Sequence, residues 1–196
     1  MVTNERKKIG FIVEGGSEKI IIESPQFRAF LNKHGYELVT PVIDAEGGGN
    51  LLPQNIEEFI SRLEQKQVDA IYVLTDLEDE LHIETVRKRV RHTKVTFAFI
   101  AVKALEAWYL ADTDAMNTWL GTQDFYESEP EKTVGKPWDR LKEIAAEKGK
   151  RGPGQKISFA KRITKYWHFA IENAAKHEAC PSAAELISHF EKSTHR

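Results

Sequence analysis

The stretch IGFIVEGGSEK, residues 9–19, decides how the rest of the chain is read. A nearly continuous apolar run, Ile9 to Val13, is followed at once by a glutamate and two glycines. Runs of this kind, without alternation, suit a strand covered on both faces. Gly15 and Gly16 allow a sharp turn into a following helix. Glu14 therefore stands at the carboxyl end of a buried strand. A carboxylate there is either a solvated loop residue or a ligand for a cation, and the other segments have to decide.

Three further runs read as strands: AIYVLT (70–75), VTFAFIAV (95–102) and ELVTPVI (37–43), the last brought to an edge or ended early by Pro41. Helical segments separate them. Residues 17–34 hold a helix interrupted at Pro25, with Ser24 as cap of a second one. Ile56, Phe59, Ile60 and Leu63 recur at helical spacing after Pro53. Leu81 to Arg91 begins acidic and ends basic, as a helix dipole prefers. The order β-α-β-α-β-α-β predicts a four-stranded parallel sheet with helices on both faces. Beyond residue 104 the strands cease. A helix over 104–111 gives way to a polar, loop-like stretch over 121–137, and helices are expected near 138–148, 157–177 and 183–192. Ser182 and Glu185 form the pattern of a capping box for the last. The division expected is an α/β core over 1–112 and a helical extension over 113–196 packed on it.

The 196 residues suit one compact domain with or without an appendage, and 41% hydrophobic with 30% charged content is ordinary for a globular protein. No apolar run approaches the ~18 residues of a membrane helix. MVTNERKK lacks the pattern of a cleaved secretory signal. The single cysteine, Cys180, cannot form an internal disulfide. Together these predict a cytoplasmic protein with no membrane partner. Charge is uneven: residues 1–112 carry 18 acids and 14 bases, residues 113–196 carry 12 and 14, and 148–165 has seven bases and no acid. A basic segment of this kind suits an anionic partner.

Ligands of open parallel sheets bind beyond the carboxyl ends of the strands. Asp76, in LTDLEDE (74–80), occupies that end of the third strand, followed by Glu78 and Asp79. If the first and third strands are neighbours, these carboxylates meet Glu14. Acids gathered without a base repel one another and require protons or a hard cation, for which Mg²⁺ or Mn²⁺ is suited. Gly15 and Gly16 would let a phosphate approach the backbone. KALEAWYLAD (103–112) adds Glu106 just past the fourth strand, and Lys103 as a group able to neutralise phosphate charge. Each also has a plain reading: Asp76 to Glu80 and Glu106 as solvated acids in the first turn of a helix, and Glu14 as a polar residue of a glycine turn.

The succession VEGGSEK, TDLED and LEAWYLAD resembles the TOPRIM domain of topoisomerases, primases and OLD-type nucleases, and in particular the small stand-alone TOPRIM-like bacterial proteins related to the RloB-like group. The resemblance spans most of the chain on short motifs in the right order. It implies a TOPRIM/Rossmann-like fold. It assigns Glu14 as general acid/base and metal neighbour, Asp76 and Glu78 as the Asp-x-Asp pair with glutamate in the second place, Asp79 as its substitute, and Glu106 as a further active-site acid. It implies Mg²⁺-dependent cleavage of phosphodiesters in DNA or RNA, phage defence or mobile-element conflict, and an ATPase partner. No tyrosine stands in a topoisomerase nucleophile context, and the chain is short for strand passage.

Other residues leave alternatives open. KGKRGPGQK supplies Lys150, Arg151 and Lys156, which would follow a nucleic-acid backbone or simply line a wet helix face. The aromatics of YWHF (166–169) suit base stacking or a buried stripe. RKRVRHTK (87–94) is a second basic patch or a solvated helix end. Asp44, Glu46 and Gly47 to Gly49 either line the crevice or form a flexible loop. His177 and Cys180 do not make a zinc motif. No Walker loop, nucleophile elbow or dinucleotide fingerprint is present. Against the nuclease stand two alternatives: a non-catalytic metal- or phosphate-binding subunit of an ATPase complex, and a phosphoacceptor switch at Asp76. The oligomeric state is open, a homo-oligomer included.

Overall fold

The computed structural model describes residues 6–192. Its strands are β1 (Lys7–Val13), β2 (Tyr36–Leu38), β3 (Ile43–Asp44), β4 (Ala70–Asp76) and β5 (Phe97–Ala101). The helices are α1 (Gly16–Ile22), α2 (Pro25–Lys33), α3 (Glu57–Glu64), α4 (Ile83–Arg89), α5 (Glu106–Ala111), α6 (Thr113–Leu120), α7 (Pro137–Glu147), α8 (Lys156–Tyr166), α9 (Ile171–Ala175) and α10 (Pro181–Lys192). All strand pairs are parallel, in the order β2-β1-β4-β5, with β3 also on β1. The strand expected over 37–43 is thus split into β2 and β3 along one side of β1. Pro41 has no N–H to donate, so the ladder lapses there; Val39 N and Ala45 N still donate to Ile9 O and Val13 O on either side, at 2.8 and 2.9 Å.

Alternate residues of each strand enter different cores. Ile9, Phe11, Val13, Tyr72, Leu74 and Phe99 face one, shared with α1, α2, α5 and α10. Ile12, Ile71, Val73, Ala98 and Ile100 face the other, shared with α3 and α4. This two-sided burial accounts for the continuous apolar runs. Gly10 is part of the same logic: a Cβ there would lie 2.8 Å from Leu63 Cδ2, so its absence lets α3 settle onto β1.

The segment after α5 closes the first core. Phe190 of α10 is fully buried, with its ring 5.1 Å from Tyr72, 6.2 Å from Phe11 and 5.9 Å from Phe99. Two local expectations fail. The helix expected over 157–177 breaks after Tyr166: His168 adopts a left-handed φ of 57°, and Ala170 N donates to Asp112 Oδ2 at 3.0 Å. Asp112 thereby ties the start of α9 to that of α6, where its other oxygen accepts from Ala115 N at 3.1 Å. The Ser182–Glu185 capping box is not made. Glu131, from the turn between α6 and α7, caps α10 by accepting from Ser182 N at 3.0 Å and from its hydroxyl, while Glu185 pairs with Arg87 at 2.8 Å. Among the described residues no helix is long and apolar enough to cross a membrane.

Candidate functional site

The register of the central pair builds the site. Val13 lies opposite Leu74, so the next residues, Glu14 and Thr75, emerge together at the carboxyl edge of the sheet. The Thr75 hydroxyl donates to Glu14 Oε2, and Asp76 N donates to the same oxygen at 3.1 Å. Asp76 Oδ1 in turn accepts from Leu105 N at 2.9 Å, at the entrance to α5. Glu106 is the first residue of that helix and only 3% exposed. Its carboxylate meets the ammonium of Lys156, the first residue of α8, at 2.8 Å.

Glu18, on the first turn of α1, completes the cluster and was not singled out in the sequence. It is 8% exposed. Burial pushes its carboxyl up to about 7; the charges of Glu106 and Glu14 add to this, while its own backbone N–H and Lys156 act against it. Asp76 is likewise held well above the usual carboxylate range, by burial first and then by Glu18, Glu106 and Glu14, with the Leu105 N–H opposing. Four carboxyls from four elements thus act on one another across the strand ends, and Lys156 is the base within reach of all but Glu14 in these effects.

The glycines serve this packing. Gly15 has an extended φ of −157°, open to any residue, but a Cβ there would lie 3.2 Å from Glu18 Oε2. A Cβ on Gly16 would lie 3.1 Å from Ile157 Cδ1, and one on Gly48 would lie 3.3 Å from Glu14 Oε1. The Gly47–Gly49 loop therefore does line the crevice, held by Gly47 N donating to Glu14 O at 2.8 Å.

Several sequence candidates make no bond to the cluster among the described residues. Glu78 and Asp79 are exposed beyond β4, and neither side chain bonds a member of the cluster. Lys103 has a left-handed φ of 65° and contributes its carbonyl, which accepts from Glu78 N at 2.9 Å; its ammonium makes no ion pair among the described residues. Lys150 N donates to Ala145 O at 2.7 Å, ending α7, and its ammonium lies beside Gly121. Arg151 is exposed. Of that basic segment, Lys156 is the residue that reaches the acids. Arg87, in the other basic patch, is engaged by Glu84, Glu185 and the Phe97 ring.

Whether these residues suit a divalent cation can be tested on the site itself. The donors are hard oxygens in excess of positive charge, which is the chemistry Mg²⁺ selects. The hydroxyl of Tyr109, one turn after Glu106, is buried without a partner among the described residues and stands in the field of Glu106, Glu18 and Asp76. A buried donor of this kind calls for an acceptor from outside the chain, such as a water or a phosphate oxygen. Among the described residues no three carboxyl, imidazole or thiol groups stand close enough to ligate one ion together. A cation here would be held by one or two carboxylates with water completing its shell, which is how Mg²⁺ is usually bound. The residues fit on those terms.

The raised Glu18 carboxyl has a measurable consequence. The folded chain holds a proton there that the unfolded chain releases near 4.5, so stability from this group is full below 4.5 and is lost as pH rises through about 7. The loss expected is roughly 3 kcal/mol, because each tenfold difference in proton affinity between the folded and unfolded chain is worth about 1.4 kcal/mol. Urea denaturation of Glu18→Gln between pH 4.5 and 8 should show a correspondingly flatter profile than the wild type. Parallel profiles would contradict the burial of this charge.

The chain belongs to the family described as Domain of unknown function (DUF4276), whose model matches residues 13–191. No curated protein matches it. Among solved structures it is similar to the C-terminal region of the Xanthomonas campestris pv. campestris OLD protein, known in a platinum-phased and an iodine-phased form. The first is 15% identical over 97% of this chain and 98% of that one, with a TM-score of 0.40. The second is 14% identical over 96% of each, with a TM-score of 0.42.

Proposed function

We propose that this chain is a Mg²⁺-dependent enzyme that cleaves phosphodiester bonds in nucleic acid. The observation that carries the reading is the meeting of Glu14, Glu18, Asp76 and Glu106 at the carboxyl edge of a parallel sheet, beside one half-exposed lysine. Bound Mg²⁺ would polarise a phosphodiester and lower the pKa of a bound water. The chain's own residues supply the rest. Thr75 and the Asp76 N–H fix the Glu14 carboxylate so that its free oxygen faces the crevice lined by Gly48. Glu18, titrating near neutrality, is suited to take or return a proton at working pH. Lys156 can exchange part of its contact with Glu106 for an incoming phosphate oxygen. The TOPRIM resemblance of VEGGSEK, TDLED and LEAWYLAD supports the same reaction class, and from it come the proposals of a defence role and an ATPase partner.

One observation favours a second reading. With no three donors already in ligating position among the described residues, the cluster would also suit a subunit that binds metal or phosphate without chemistry. Incubation with labelled single- and double-stranded DNA and RNA in Mg²⁺ or Mn²⁺ separates the two. Cleavage by the wild type should fall by on the order of 100-fold or more in Glu14→Gln. Equal cleavage by both proteins would remove Glu14 from the site, and metal binding without cleavage on any substrate would favour the binding subunit.

A further inference from the structure

The stretch 148–171 contains no acid, and its helix α8 runs away from the acidic cluster with cations uncovered along one side. Lys156 opens the helix on Glu106. Phe159, Ala160, Ile163 and Thr164 take the buried face, so Ile157, Lys161 and Lys165, spaced four apart, form a row on the outer face. Ile157 starts the row at the edge of the cluster: it is 50% exposed, and its Cδ1 would lie 3.1 Å from a Cβ on Gly16. Each step along the row advances about 6 Å. Lys161 and Lys165 are exposed and make no ion pair among the described residues. Tyr166, beside the last lysine, is 57% exposed, with the Lys165 ammonium 5.1 Å from its ring centre. Arg162 is used differently: it pins the preceding loop by donating to Pro153 O at 2.6 Å and lies over Trp167.

Lysines four apart on a helix repel each other, and no acid of the chain answers this pair. The acids of the surrounding elements have other partners. Glu18 belongs to the cluster, and Glu23, after α1, accepts from Val42 N at 2.6 Å. On α7, Asp139 holds Lys142, and Glu143 and Glu147 hold Arg140. Asp44, beside Gly16, accepts from Glu46 N, and Glu172 of α9 stands in the field of Lys176. The outer face of α8 is left positive, with an exposed ring beside its far lysine and the cluster at its near end. Cations that follow a backbone together with a ring on which a base can lie are the means by which single strands are held. We propose, resting on the nucleic-acid reading above, that this face is the track for a single strand of DNA or RNA: Lys161 and Lys165 neutralise its phosphates, a base stacks on Tyr166, and the strand passes Ile157 to reach the acids at Lys156. One row of cations on a straight helix suits one backbone, and stacking on Tyr166 needs an unpaired base, so a duplex is the poorer ligand.

The test is fluorescence anisotropy of the full chain with a labelled DNA strand, the RNA strand of the same sequence and the DNA duplex, in EDTA and again in Ca²⁺, which shares the oxygen preference of Mg²⁺. A single strand should bind more tightly than the duplex, and whichever of DNA and RNA binds better names the substrate. In a Lys161→Gln, Lys165→Gln double variant the slope of log affinity against log salt should shrink by about 1.4, the counterion release of two single-strand phosphates. Tyr166→Ala should weaken binding roughly tenfold with the slope unchanged. All three positions are exposed, so the variants should fold, and thermal unfolding checks that they do. No binding of a single strand in either condition, tighter binding of the duplex, or an unchanged slope in the double variant would overturn the track. The nuclease reading fails separately. Strand binding that the variants lose, with no cleavage by the wild type in Mg²⁺, would keep the track and remove the chemistry. Wild-type cleavage of dilute substrate that the variants retain in full would keep the chemistry and remove the track.

Discussion

Titration of Mn²⁺ into Asp76→Asn is expected to show binding weaker than in the wild type by on the order of 100-fold or more. Residues that merely orient metal ligands are worth roughly 10–100-fold, and Asp76 is placed as a ligand itself. The substitution suits the test because asparagine keeps an oxygen where Asp76 Oδ1 accepts from Leu105 N. It removes charge with little change of shape. A second readout guards against misfolding. Asp76 is held well above its ordinary value by burial and by three other acids, so its ionised form is unfavourable in the folded chain. The metal-free variant should therefore be at least as stable as the wild type at pH 8, with the difference shrinking as the pH falls and the wild-type carboxyl takes up its proton. Lost binding with undiminished stability would identify the cluster as a cation site. If the wild type takes up no Mn²⁺, alone or with a nucleic-acid strand present, the metal reading fails and the acids are structural.

The central feature of that experiment was legible in the sequence alone. Strands buried on both faces leave an unbroken apolar signature, and the residues that end them, Glu14 and Asp76, are marked by the abrupt change to acid. Adjacency of their strands was a condition the sequence could state but not meet; the register of β1 on β4 supplies it. Glu18 escaped notice because one helical turn beyond a strand an acid looks like any solvated helix start. The charges that act on it, Glu106 and Lys156, arrive from α5 and α8, far along the chain. The capping box at Ser182 misled for a related reason. The local pattern was sound, but Glu131 offered the N-terminus of α10 a better-placed carboxylate, and Arg87 claimed Glu185. The break at His168 depends on Asp112, likewise remote in sequence. Local chemistry was readable wherever local contacts decide the outcome, and lost where a distant side chain takes the bond.

Phe190→Ala is the substitution expected to cost most in stability, roughly 3–5 kcal/mol, the range for deleting a buried phenylalanine ring. The ring is fully buried and lies edge-on to Tyr72 and Tyr36, at 5.1 and 5.0 Å, with Phe11, Phe27 and Phe99 around it. These neighbours belong to β1, β2, β4, β5 and α2, so the void would open in the middle of the core and could not collapse from one side. A urea midpoint lowered in proportion, with an unchanged slope, is the expected result. A loss below about 1 kcal/mol would instead mean that α10 is a dispensable cover on an α/β unit stable without it. The same variant joins the core to the site. Phe11 and Tyr72 lie on the two strands whose ends present Glu14 and Asp76, so folding of this core and assembly of the acidic cluster are one event. A cation that binds only the folded cluster must then recover part of the lost stability, and saturating Mn²⁺ should raise the Tm of Phe190→Ala while leaving that of a Phe190→Ala, Asp76→Asn double variant unmoved.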